Sequence, residues 1–436
     1  MYKTITIAGI AGRGHRDLVR EMAGALKHRT RDPLEIVEDE ICTLALSRNH
    51  RDVSDQDLST RVYVSDGKLI LRRDPLGISP LYYGFDAEGN LCFASEVKAL
   101  LKATRKVHEV EPGTLFDGTT STKYYRLELR PPRTEPAEIL TAELRRKLTE
   151  AVEKYASGDV MGSWLSGGLD SSTIVALARP RVKQLHTFAA GLAGAPDLPA
   201  ARMVADFVKS THHEIVVTPQ DLLNALPDVI YHLESFDALL VRSSLTNFLA
   251  GQAAADYVSE VFSGEGGDEL FGGYAYLKSL PGTKLAEELI DITNRLHNTA
   301  LQRVDRCASA HGLTPCVCFL DPELVELALT IPTQYKLKGS MEKWILRQAI
   351  DGSLPQEIVA RPKAKFWEGA GVGDVIAGHA ERSITDAEFA SERKLKNGWV
   401  LNSKEELMYY RVFRDHFGEM GNLDWMGRTK GAGSDS

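Results

Sequence analysis

The sequence has no apolar run approaching the ~18 residues that cross a bilayer, and its amino-terminal stretch lacks the apolar core of a secretory leader. A membrane partner is therefore not expected, and the cytoplasm is the expected location. Cysteine is scarce: the five residues at 42, 92, 307, 316 and 318 show no C-x-x-C spacing. A disulfide framework and a structural zinc site are both disfavoured by that count and spacing. Positive charge is not in excess, with 52 Lys and Arg against 60 Asp and Glu, a net charge of −8. Non-specific binding to nucleic acid is not expected of such a chain. Two common phosphate motifs are missing as well. The glycines of "AGIAGRG" (8–14) run G-x-x-G-x-G, where a dinucleotide fingerprint needs G-x-G-x-x-G, and no G-K-[ST] occurs.

What remains is an ordinary globular composition, 43% hydrophobic and 26% charged over 436 residues, enough for two or three domains. Up to about residue 127 the pattern is short and strand-like: "RVYVSDGKLILRRD" reads as two strands around a Ser-Asp-Gly turn, and "GNLCFASEV" as another strand. "LRPPRTEPAE" (129–138) concentrates proline and charge and reads as a connector. Beyond it "AEILTAELRRKLTEAVEKYA" has helical spacing, and apolar strands in "DVMGSW", "QLHTFAAGL", "HHEIVVT" and "EVF" alternate with helical stretches. This alternation predicts an α/β fold, a doubly wound parallel sheet with helices on both faces. From about 283 onward the chain reads as mainly helical. The expected division is a β-rich domain at 1–128, a linker at 129–138, an α/β domain at 139–428 and a tail at 429–436.

"SWLSGGLDSS" (163–172) sets Ser166, Gly167, Gly168, Asp170, Ser171 and Ser172 where a buried strand turns into a helix. Glycines let backbone approach a polyphosphate, and the helix N-terminus faces it with free N–H groups. The serines supply hydroxyl donors. Asp170 is wrong as a direct phosphate contact but suits a divalent cation bridging phosphates. The residue-level alternative is a serine-rich helix cap.

S-G-G-L-D-S-S after an apolar strand resembles the pyrophosphatase loop of the glutamine-hydrolysing asparagine synthetase family, and "SGEGGDELFGGY" (263–274) resembles that family's S-G-E-G-[SG]-D-E segment. "FAAGLAGAPDLPAARMVAD", "VDRCASAHGL", "MEKWILRQAI" and "RPKAKF" are further similar blocks, in the family's order from roughly 140 to 425. The resemblance implies a PP-loop nucleotide fold and cleavage of ATP between its α and β phosphates. It implies Mg²⁺ and pyrophosphate held by Ser166, Gly168, Asp170 and Ser171, with Asp268 as a second carboxylate at that centre. Leu165 and Ala190 would then pack beside adenine, and Ser263 and Gly264 would line the nucleotide. Glu265 is assigned proton acceptance from an attacking amine, Lys363 charge neutralisation at the phosphates, and Arg242 the substrate carboxylate. The implied partners are a small-molecule carboxylate and an amine donor, with a homodimer possible through the residual amino-terminal domain.

The departures bear on specificity. Leu239 and Leu240 stand where Thr-Thr is expected, and "GLTPCVCFLD" (312–321) replaces Glu, Arg and Pro by Thr314, Cys316 and Cys318, the cysteines being read as small buried hydrophobes. "RRDPLGISPLYYG", "FASEVKALL" and a degraded "HRTRD" are similar to the family's glutaminase half, though shortened and Ntn-like at best. Ala8 stands where that half has its nucleophilic cysteine, and Tyr2, Thr4 and Thr6 offer no supported substitute. The expected function is an ATP-dependent, AMP-forming amide ligase using ammonia or another amine. A β-lactam synthetase-like or lasso-peptide-cyclase-like intramolecular ligase, and a non-catalytic ATP-binding regulator, stay open.

Overall fold

In the computed structural model, residues 6–47, 59–156, 158–363 and 366–429 are described. Tyr2, Thr4, Lys365 and the tail beyond 429 lie outside them. The amino-terminal part holds β1 (Ile7–Ala11), β2 (Glu35–Glu38), β3 (Cys42–Leu46), β4 (Arg61–Ser65), β5 (Lys68–Arg72), β6 (Tyr82–Phe85), β7 (Leu91–Ala94), β8 (His108–Glu109), β9 (Thr114–Phe116) and β10 (Ser121–Lys123). They form two antiparallel sheets, ordered β2-β3-β1-β7-β6-β8 and β10-β9-β5-β4. The hairpin read from "RVYVSDGKLILRRD" is present as β4–β5, closed where Asp66 (φ 50°) and Gly67 (φ 74°) adopt left-handed backbone. Positive φ at both central residues matches the strands' right-handed twist. Ile7, Leu71, Leu81, Phe93 and Phe116 fill the space between the sheets.

The opening motif is resolved by this packing. Ala8, Gly9 and Ile10 lie inside β1, and a Cβ on Gly9 would meet the Phe93 ring at 2.4 Å. Gly9 is there for a close ring contact, and the turn that follows leads into α1 (Arg16–Gly24). With α2 (Val97–Leu100), α1 covers the outer face of the larger sheet. Ala8, Ile10, Val19 and Met22 then share one apolar cluster with Leu226, Val229 and Phe413 of the carboxy-terminal part.

The second part opens with α3 (Ala137–Tyr155), whose Leu140, Leu144, Leu148 and Val152 are buried at fourfold spacing. Its parallel sheet runs β13-β12-β11-β14-β15, from β11 (Val160–Trp164), β12 (Gln184–Leu192), β13 (Thr211–Val217), β14 (Glu260–Phe262) and β15 (Thr314–Cys316). The connecting helices are α4 (Leu169–Ala178), α5 (Asp197–Val208), α6 (Pro219–Leu233), α7 (Ala238–Ala254), α8 (Gly267–Phe271), α9 (Gly282–Asn294) and α10 (Ala300–Ser309). The α/β doubly wound architecture expected from the alternation is observed. β15 adds a strand inside the region read as mainly helical, three residues being too short to show a period. Cys316 and Cys318 are buried in the main core cluster, the small-hydrophobe role expected of them. Chain order reverses between β11 and β14, and in such sheets the crevice at the strands' carboxyl ends is where ligands bind. Among the described residues no helix is long and apolar enough to cross a membrane.

Candidate active site

Two loops leave that crevice side by side. After β11 the chain runs Leu165–Gly168 into α4; after β14 it runs Ser263–Gly266 into α8. They touch through backbone: a Cβ on Gly264 would lie 2.6 Å from the Ser171 nitrogen and 2.9 Å from the Asp170 carbonyl carbon. Only a residue without a side chain fits that contact. The Ser166 and Ser171 hydroxyls lie 3.1 Å apart, and the Gly168 N–H donates to Ser166 Oγ at 3.3 Å. Ser166, Gly168, Asp197, Lys343, Arg361 and Lys363 surround the pocket at the N-terminus of α4.

Asp170 and Asp268 face each other across this junction, bridged by Lys343, with Lys363 on Asp268. Lys343 Nζ pairs with Asp170 and reaches Asp268 Oδ1 at 2.5 Å, while Lys363 Nζ lies 2.7 Å from Asp268 Oδ2. Burial would raise the Asp268 pKa, but Lys343 and Lys363 outweigh it and hold this carboxyl well below the usual range. Asp170 is shifted upward, because its burial exceeds the pull of Lys343. Burial lowers the Lys363 ammonium, yet Asp268 and Asp170 leave its pKa above that of an ordinary lysine.

Lys343 is the residue sequence reasoning missed. Its signal was its place in "MEKWILRQAI", but nothing local marked it as pointing into the site. It is 1% exposed and holds left-handed backbone at φ 54°, a conformation costing roughly 1–2 kcal/mol for an L residue. Strain of this kind collects where side-chain direction matters. Arg361 was also missed: it donates to the Ser166 carbonyl at 3.2 Å and pairs with Asp197 at 2.7 Å, tying the "RPK" segment to the loop.

Glu265 emerges half-buried from the second loop, its Oε2 2.5 Å from Arg303 of α10. Glu269, one turn along α8, has its carboxyl buried with Tyr274 donating to Oε1. Burial, reinforced by Glu265 and Asp268, pushes Glu269 up to about 8.

Several expected residues are placed differently. Ser172 is wholly buried in α4, so its hydroxyl does not reach the pocket in this structure. Gly167 (φ 69°) stays in the loop, and α5 packs so close that a Cβ there would meet Ala200 at 2.5 Å, which only glycine avoids. Leu165 is 1% exposed and packs in the core beneath the loop, while Ala190 stays half-buried on β12. Ser263 is buried, its N–H donating to Cys316 O at 2.9 Å and its Oγ accepting from the Glu265 N–H at 3.3 Å. Arg242 on α7 is not among the residues lining the pocket and engages Glu405 through two N–H groups, Nε at 3.1 Å from Oε1. The guanidinium fork assigned to a substrate carboxylate is thus held by a carboxylate of the chain itself. Leu240 is buried at the start of α7, Leu239 half-buried beside it, and Thr314 opens β15 through a hydrogen bond to Ser259 O.

Comparison with known proteins places this constellation. The asparagine synthase family matches residues 143–291 and 278–426, spanning both loops and both lysines. The chain belongs to the asparagine synthase family. Its enzyme class is therefore that of ATP-dependent ligases. A probable glutamine-hydrolysing asparagine synthetase of Schizosaccharomyces pombe is 34% identical over 92% of this chain and 79% of its own length. The glutamine-hydrolysing asparagine synthetase B of Escherichia coli K12 is 36% identical over 80% of this chain and 67% of its own. A glutamine amidotransferase domain matches residues 58–129.

Magnesium fits the site only in part through protein atoms. Asp170 Oδ1 is buried without a hydrogen-bond partner, and a second carboxylate stands nearby. Among the described residues no group of three or more His, Cys, Asp and Glu could hold a metal ion. Two carboxylates completed by phosphate oxygens is an arrangement suited to Mg²⁺, which takes few protein ligands.

Proposed function

We propose that this chain activates a small carboxylic acid as its acyl-adenylate and transfers the acyl group to an amine, releasing pyrophosphate and AMP. The observation that carries the reading is the meeting of the Ser166–Ser171 and Ser263–Asp268 loops at the sheet's switch point, with Lys343 and Lys363 beside the paired carboxylates.

A carboxylate is a poor electrophile, and adenylation remedies this. The substrate carboxylate oxygen attacks the α phosphorus, the bond to the β-phosphate oxygen breaks, and pyrophosphate leaves. Ser166, Ser171 and the N–H groups at the start of α4 orient the phosphates. Lys363 and Lys343 offset the negative charge that grows on the leaving group. Mg²⁺ held by Asp170 and Asp268 would supply further charge neutralisation to the phosphates. In the second half the amine nitrogen attacks the acyl carbon, the bond to AMP breaks, and Glu265 accepts the amine proton while Arg303 fixes its orientation.

The nitrogen is read as free ammonia or another amine, not glutamine hydrolysed by this chain. Supporting this, Ala8 carries no nucleophile and lies fully buried in β1, paired with Ala45 and Ala94. Aspartate is the acid to try first.

The test is pyrophosphate release from ATP and Mg²⁺ across a panel of carboxylic acids, with ammonium or with glutamine. Ammonium-dependent AMP formation with aspartate, and none with glutamine, is the expected result. Turnover with glutamine would overturn the nitrogen assignment, and no release with any acid would overturn the ligase reading. Glu265→Ala should abolish amide formation while acid-dependent exchange of labelled pyrophosphate into ATP continues.

A further inference from the structure

The amino-terminal domain, with no nucleophile of its own at Ala8, is joined to the rest of the chain by buried charge. Arg29 donates to Asp305 at 2.8 and 2.9 Å, to Glu96 at 2.6 Å and to Ser309 Oγ at 3.0 Å. Arg306 reaches Glu96 at 2.7 Å and Glu234 at 3.0 Å. Glu234 in turn accepts from the Val97 and Lys98 N–H groups at 2.9 and 2.7 Å, and Lys98 pairs with both glutamates. The six charged side chains of this network are each 0–3% exposed. Three cations meet three anions in this buried interface, and His28 Nε2 lies 3.1 Å from Glu96 Oε2 at its edge.

The network has one feature that a mere adhesive would not need. Asp305 and Arg306 sit on α10, as does Arg303, which holds Glu265. Gln302, Asp305, Arg306 and Ser309 recur at i, i+3, i+4 and i+7, one face of the helix. Gln302 donates to Leu233 O at 2.7 Å, and the other three grip Arg29 and Glu96. Arg303 leaves the adjoining face. A helix of ten residues moves as a rod, so a rotation that loosens the grip on Arg29 also swings Arg303.

We propose that the amino-terminal domain serves as a positioning element for amide formation: through Arg29 and Glu96 it sets α10, and through α10 it sets Arg303 against Glu265. This rests on the reading of Glu265 as the group that receives the amine proton. Arg29, Glu96, Asp305 and Arg306 are positioning residues in this scheme, with no contact to substrate.

The experiment uses the full chain with Arg29→Met, Arg29→Lys, Arg303→Met and the double methionine variant, each checked for folding by thermal melting. Pyrophosphate exchange reads adenylation, and AMP release with the amine reads transfer. Arg29→Met should lower the transfer kcat about tenfold or more, as small misplacements of a catalytic group do, with KM for ATP and exchange within about twofold. Arg29→Lys, which keeps a cation there, should recover part of that loss. The double variant should be no slower than Arg303→Met, because both changes act through one carboxylate. A folded Arg29→Met enzyme with normal transfer, or losses that multiply in the double variant, would overturn the proposal. Hydrogen exchange gives a readout that needs no turnover. Amides of 263–268 should exchange faster in Arg29→Met while those of 160–164 do not. Unchanged protection of 263–268 rejects the coupling, whereas faster exchange in a chain that turns over no acid rejects only the proposed reaction.

Discussion

Lys343 Nζ lies 2.5 Å from Asp268 Oδ1, although the two residues come from segments that show no mutual pattern in the sequence. The same ammonium pairs with Asp170, so one buried cation holds together the carboxylates of both loops. Removing it by Lys343→Met leaves two buried carboxylates with Lys363 alone. Loss of one partner from a buried ion pair costs about 3–5 kcal/mol, so a lowered melting temperature is expected together with pyrophosphate release at least ~100-fold slower. Near-normal release from a stable variant would show that the lysine does not serve the phosphates.

Gly264→Ala tests the contact between the loops. Its Cβ would fall 2.6 Å from the Ser171 nitrogen, and neither backbone yields without separating the loops. Overpacking of this kind costs about 1–3 kcal/mol, and misplacing phosphate ligands by a fraction of an ångström is expected to cut ATP-dependent release by ~100-fold. Gly24→Ala is the control. No atom lies within 4 Å of a Cβ at Gly24, at the end of α1, and this variant should melt at or slightly above the parent temperature.

Arg242 gives a choice between two roles. Glu405, its partner, has a side chain 4% exposed and also accepts from the Tyr409 hydroxyl at 2.7 Å. Arg242→Met strands that carboxylate, and a stability loss of about 3 kcal/mol is expected, recovered in part by adding Glu405→Gln. Thermal melting of the single and double variants reads this. A raised KM for the acid at unchanged melting temperature would return Arg242 to the substrate.

Lys336 supplies a pH test of stability. Burial alone, with no counter-charge contributing, lowers its ammonium to about 7 from an ordinary 10.5. Between those values the unfolded chain binds a proton that the folded chain does not. Stability contributed by this residue therefore rises with pH from about 7 to about 10.5. Lys336→Met should be the more stable protein at pH 7, by up to roughly 4 kcal/mol, and the gap should close toward pH 10. Melting of both proteins across that range checks the sign, and a gap independent of pH would refute it.

Much of the site was legible because its chemistry is local. Ser166, Gly168, Asp170 and Ser171 stand within six residues of one another where strand becomes helix, and strand-to-helix turns write themselves in glycine spacing and apolar periodicity. The hairpin of β4 and β5 was legible for the same reason, its turn chemistry acting over four residues. Inside the loop, Ser172 shows what local reading leaves out: it belongs to the motif, yet its side chain is wholly buried in α4. A motif names residues without saying which way each side chain faces.

The sequence by itself determined the alternation that makes a doubly wound sheet and the glycine loops at its switch point. Those features depend on periodicity and backbone freedom, which act over a few residues. Only the tertiary structure decided who neutralises whom. Lys343 meets Asp170 across 173 residues and Arg242 meets Glu405 across 163. Arg29 meets Asp305 across 276, binding the amino-terminal domain to α10. Charge carries no period along a chain; a buried ion must find its partner wherever the packing of the apolar faces brings one within reach.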